Sequence, residues 1–202
     1  MSEACAHLFE GTVAAMLAYV FWHVPRPGMP HADYESRLAA FHAALRADAP
    51  PWLGPTATVG LAAVPWLDGA AGYEDWYLVE HFGALGELNA AAVTGARREP
   101  HNAAAAWAAA GIAGIMGHVA GPLLPEGGPG WCAWIAKPAG DSYDGFHAEL
   151  AALAGGASAW QRQMVLGPAT EYCVLAPGPL TLPWAARWAW TLRPVVAPAP
   201  HP

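Results

Sequence analysis

The chain opens its legible part with a run from Met16 to Val24 that is rich in β-branched and aromatic residues, lacks a helical period, and is closed by Pro25, Pro27 and Pro30. That pattern predicts a strand. Beyond it, Leu38, Phe41, His42 and Leu45 recur at three-to-four spacing, which predicts a helix from Tyr34 to about Ala47 with Asp33 as its cap. Ala57 to Val64 and Glu74 to Phe82 follow as two strands joined across Asp68, Gly69 and Gly72, a hairpin by its turn residues. Ala84 to Val93 is helical in pattern, and Thr94 to Glu99 interrupts it. Pro100 then stands where a first helical turn tolerates proline, opening a helix to about Ala110 before a strand from Ile112 to Val119.

The second half repeats this order of features. Trp22-His-Val-Pro-Arg-Pro-Gly, Tyr34-Glu and Leu53-Gly-Pro-Thr-Ala-Thr-Val are answered by Trp134-Ile-Ala-Lys-Pro-Ala-Gly, Tyr143-Asp and Leu166-Gly-Pro-Ala-Thr. Each match is trivial alone, but in register they indicate two copies of one unit. The second copy reads as a strand from Trp131 to Ala136, a helix from Asp141 to about Leu153, and strands near Ala169 to Ala176 and Ala185 to Arg193. A proline-rich tail follows, with no counterpart of the second helix and fourth strand. The expected fold is therefore α+β: a complete ferredoxin-like βαββαβ repeat over residues 1–122 and a truncated βαββ repeat over 123–202.

This order of elements resembles the dimeric α+β barrel superfamily, in which two ferredoxin-like units pack face to face, as a dimer or as a tandem fusion. Similar members include antibiotic-biosynthesis monooxygenase-like proteins, haem-binding chlorite-dismutase-like proteins, and isomerases and lactonases of small aromatic or lactone substrates. The resemblance implies a small ligand held against a sheet face, and makes haem, on a histidine axial ligand, the candidate if a cofactor is held.

Composition narrows the classes. With 55% hydrophobic and 12% charged residues the chain can bury a large core. A net charge of -7, from 16 acidic against 9 basic residues without long runs of either sign, argues against a nucleic-acid partner. The longest apolar stretch, Thr12 to Trp22, is about half of the roughly 20 residues that span a bilayer, and no basic segment precedes it. A cytoplasmic location without membrane contact is the expectation. Cys5, Cys132 and Cys173 are too few and scattered for a metal knuckle. Cys132 and Cys173 are expected on strands separated by a third, ~9 to 10 Å apart and beyond disulfide reach.

Phosphate loops, zinc-protease His-Glu pairs, nucleophile elbows and Cys-x-x-Cys are absent from the sequence. Histidines and tryptophans remain. Strand alternation sends Trp22 and His23 to opposite faces. His23, at the exit of the first strand, is expected near Tyr73 and Asp75, a His-Asp pair suited to general-base work or to a plain strand-end hydrogen bond. His81 and His118 are expected at one sheet edge about two strand widths apart, spaced for a ligand between them or simply two independent strand ends. Tyr77 is a further polar candidate, and Trp22 or Trp76 a wall. Arg97 and Arg98, just before a helix start with Pro100 and His101, form the densest positive spot, either an anion site or a solvated loop.

The leading functional reading is a protein that binds a small hydrophobic or aromatic molecule between two sheets, with monooxygenase-like or isomerase-like activity, using His23, Asp75, Tyr77 and His81. The alternative is a non-catalytic assembly protein whose sheet is filled by its own tryptophans and whose open edge supports oligomerisation.

Overall fold

The computed structural model describes residues 16–164, 167 and 169–199. The elements are β1 (Leu17–Pro25), α1 (His31–Ala47), β2 (Leu53–Val64), β3 (Ala70–Val79), α2 (Phe82–Ala92), α3 (Arg98–Ala105), β4 (Ala108–Ala120), β5 (Trp131–Ile135), α4 (Tyr143–Ala151), β6 (Ser158–Arg162), β7 (Tyr172–Ala176), β8 (Trp188–Thr191) and β9 (Arg193–Val196). The class is α+β. All nine strands join one antiparallel sheet in the order β8-β5-β7-β6-β4-β1-β3-β2-β9.

The two ends of that order are the same stretch of chain. β8 pairs with β5, β9 pairs with β2, and only Leu192 separates them. The sheet therefore curls until its edges meet, and the bent β8–β9 segment closes it as a barrel. Alternation then sorts side chains into a lumen and an outer face. Ala18, Val20 and Trp22 of β1, Trp76 and Leu78 of β3, Trp134 of β5 and Trp160 of β6 meet in one inner cluster. Outside, α4 packs Phe146 and Leu150 onto β5 and β7, while α1 and α2 pack Phe41, Leu45 and Leu88 onto β1 and β3.

Several sequence expectations are corrected. α1 begins at His31 with Pro30 as its cap residue, so Asp33 sits in the first turn, where its charge suits the helix dipole, rather than capping. β2 begins at Leu53 rather than at Ala57, and its Leu53-Gly-Pro start is irregular. The second Leu-Gly-Pro lies between β6 and β7; its Leu166 and Pro168 are outside the described residues, as are Cys5, Thr12 to Ala15 and the end of the tail. The larger miss is β6. Once Ser158–Arg162 takes the second strand position, the segment near Ala169 to Ala176 becomes the third strand, and the segment near Trp188, expected between β5 and β7, pairs with β5 on its other side and does not touch β7 in the sheet. The same shift puts Cys132 and Cys173 on directly paired neighbours, diagonally across the register, and both are free thiols. The strand expected to be missing at the end is present, and the helix before it is replaced by a loop.

No helix among the described residues is long and apolar enough to cross a membrane.

Candidate functional site

Strand β3 carries two carboxylates in succession, and β1 pairs with it so that Trp22 faces Glu74 and His23 faces Tyr73. Glu74 points into the lumen and Asp75 to the outer face, under the helices. Both are buried, at 0% and 2% exposure.

Asp75 is the hub of the outer site. His23 Nε2 lies 3.2 Å from Asp75 Oδ2, and the Tyr77 hydroxyl donates to the same oxygen at 3.0 Å. Thr58 Oγ1 donates to Oδ1 at 2.6 Å. Having spent its proton there, Thr58 accepts from His42 Nε2 at 2.9 Å, which leaves His42 Nδ1 facing the Thr56 hydroxyl at 2.8 Å. Arg46 Nε donates to Thr56 Oγ1 at 3.2 Å and ends the chain. On the other side, Tyr34 OH meets His23 Nδ1 at 2.8 Å.

Burial by itself would raise the Asp75 carboxyl. The charge and hydrogen bonds of His23, with those of His42, outweigh burial and hold it well below the usual carboxylate range. Asp75 is thus an anion throughout the ordinary pH range. Burial, with Asp75 nearby, pushes the Tyr34 and Tyr77 hydroxyls up, so both stay protonated.

Above this network lies a cavity of about 470 Å³ between the outer face of β1, β3 and β4 and helices α1, α2 and α3. Its polar lining is Tyr19, His23, Tyr34, Asp75 and Tyr77 on the sheet side and α1, with Asn89 of α2 and His101 of α3. The rest is apolar, Phe21, Phe41, Leu85, Leu88 and Ile115 being the large side chains besides Leu38. Among the described residues no lysine or arginine lines it. The size suits a small ring compound.

The lumen is different. Trp22 and Trp76 donate their indole N–H groups to Glu74 at 2.5 and 2.6 Å. Trp22, Trp66 and Trp134 pack edge to face with centroids 5.1 to 5.6 Å apart. Burial, only partly countered by the two indoles, pushes Glu74 up to about 7.

The sequence-derived candidates therefore fall into separate places. His23, Asp75 and Tyr77 are brought together. Trp22 and Trp76 lie on the lumen side of the same strands and do not form a wall for them. His81 stands two residues beyond the end of β3 and caps α2, its Nδ1 accepting from Ala84 N at 3.1 Å. His118 packs on Trp160 at 5.0 Å. Burial lowers its affinity for a proton, and its Nε2 has no partner among the described residues. Arg97 donates to the Asp48 carboxylate at 3.0 Å, so its charge is already met, while Arg98 is the first residue of α3 and exposed. Among the described residues no three metal-ligating side chains gather.

Tyr34, His42, Thr56, Thr58 and Glu74 were not singled out in the sequence. Two signals were available: His42 falls on the apolar stripe of α1 four residues after Leu38, and Thr56 and Thr58 alternate with Ala57 and Val59. Compared with known proteins, the chain matches no family model and no curated protein.

Proposed function

We propose that this chain binds a small, largely apolar ring compound in the cavity between the outer sheet face and helices α1 to α3, and moves a proton on it. The carrying observation is the hydrogen-bonded row Tyr34, His23, Asp75 placed in the wall of that cavity. With His23 Nε2–H directed at Asp75, Nδ1 is the basic nitrogen, and Tyr34 stands next to it. A ligand proton passes to the Tyr34 oxygen as the Tyr34 proton passes to His23 Nδ1, leaving an imidazolium beside the Asp75 anion. This is oriented general-base chemistry. It favours isomerase-like chemistry, which needs only proton movement, over oxidation. With the Asp75 anion in the cavity wall and no lysine or arginine among its described lining residues, carboxylate and phosphate ligands are disfavoured. The scaffold is read as two related halves, because the strand orders β4-β1-β3-β2 and β8-β5-β7-β6 correspond.

The test is calorimetric titration with toluene-sized aromatic compounds on the wild type and on Leu88→Trp, which fills the cavity from α2. One-to-one binding that Leu88→Trp weakens at least tenfold is expected. Binding unaffected by Leu88→Trp places the ligand elsewhere and overturns the assignment.

A further inference from the structure

Hydrogen-bond polarity around Asp75 points to a property of the ligand that cavity size does not. The Thr58 proton is committed to Asp75, so His42 must donate from Nε2; the Tyr77 proton is also committed to Asp75. While His23 is neutral, its Nε2–H is committed to Asp75 as well, and Nδ1 must accept from Tyr34. Every proton of the network then points inward. The tyrosine oxygens of Tyr34 and Tyr77 are left with lone pairs and no proton to offer the cavity; the donors that remain are the Tyr19 hydroxyl beside them and, across the cavity on α2 and α3, the Asn89 amide and the His101 ring. A group that both donates and accepts satisfies this wall, and a group that only accepts leaves the lone pairs of Tyr34 and Tyr77 unmet.

We propose that Tyr34 is a specificity-determining residue and that the ligand is a ring bearing a free hydroxyl, not its ether. The inference rests on the cavity assignment above and deepens it.

The experiment is titration of the full chain with 4-methylphenol, 4-methylanisole and p-xylene. In the wild type the phenol is expected to bind at least ~10-fold more tightly than the ether. In Tyr34→Phe the three compounds are expected to bind alike. Should that variant not fold, the wild-type margin decides. Rings that bind with phenol and ether equal overturn the hydroxyl inference and leave the cavity assignment standing, as does a margin that survives Tyr34→Phe. Failure of all three rings to bind overturns the cavity assignment, and this inference with it.

Discussion

Glu74 and Asp75 are adjacent on one strand and equally buried, yet one is pushed up to about 7 and the other is held well below the ordinary range. Burial acts upward on both. The difference is in the partners on each face. The lumen offers Glu74 two neutral indole donors, which do not offset desolvation. The outer face offers Asp75 two histidines and two hydroxyls, which do. One strand thus separates a lumen packed with rings from a polar site with room beside it. Burial of a carboxylate alone does not reveal whether it is a charge or an acid; the donors of its own face decide.

The first way to break this contrast is to truncate a side chain on each face. Trp76, fully buried among lumen rings, is expected to cost about 3–5 kcal/mol on Trp76→Ala. Leu88 already borders empty space, and Leu88→Ala is expected to cost about 2 kcal/mol, the low end for such a change. Denaturant melts of both variants test this; equal costs would remove the distinction between packed and open faces.

A second prediction concerns pH. The folded value of Glu74, about 7, lies above the roughly 4.3 of an unfolded chain, so between these values the folded state holds the extra proton. Stability from this group is present below about pH 4.3 and is lost as pH rises through 7, a loss on the order of 4 kcal/mol. Asp75 acts oppositely: its contribution is present above the unfolded value and is lost only in strong acid. Glu74→Gln is expected to flatten the decline between about pH 4.5 and 8. An unchanged slope would show that Glu74 is not its source. The smallest effect is expected from Tyr77→Phe, which removes one of the donors to Asp75 and leaves His23 and Thr58 in place, a loss of about 1 kcal/mol by thermal or denaturant melting.

What was legible in the sequence follows from what alternation and periodicity can see. β1, α1 and the β2–β3 hairpin came through because Trp22 and His23, Leu38 and Leu45, and the Asp68-Gly69 turn mark them locally; Asp68 and Gly69 both take positive φ there, at 55° and 73°. The meeting of His23 with Asp75 was legible too, since it needs only the register of two antiparallel neighbours. β6 was missed because Ser158-Ala-Trp-Gln-Arg is short and half polar, and its place is set by pairing with β4 and β7 rather than by its own pattern. The Tyr34 and His42 contacts were missed because they depend on how α1 lies across the sheet. Which face holds open space was illegible for the same reason: Trp66 enters the lumen from the turn at Pro65–Leu67, outside any strand period.

The bent β8–β9 segment also fixes the order in which the molecule can be finished. Gly60 pairs with Arg193, and Arg46 reaches the carbonyl of Ala197 at 2.9 Å. The seam thus joins stretches of sequence that lie far apart in the chain. While the chain is being synthesised, β2 and β5 keep bare edges until β8 and β9 emerge. Closing the ring is a non-local event with a high loop cost. It is expected to be the slow step of folding and the period in which the chain is most open to pairing with the wrong strand.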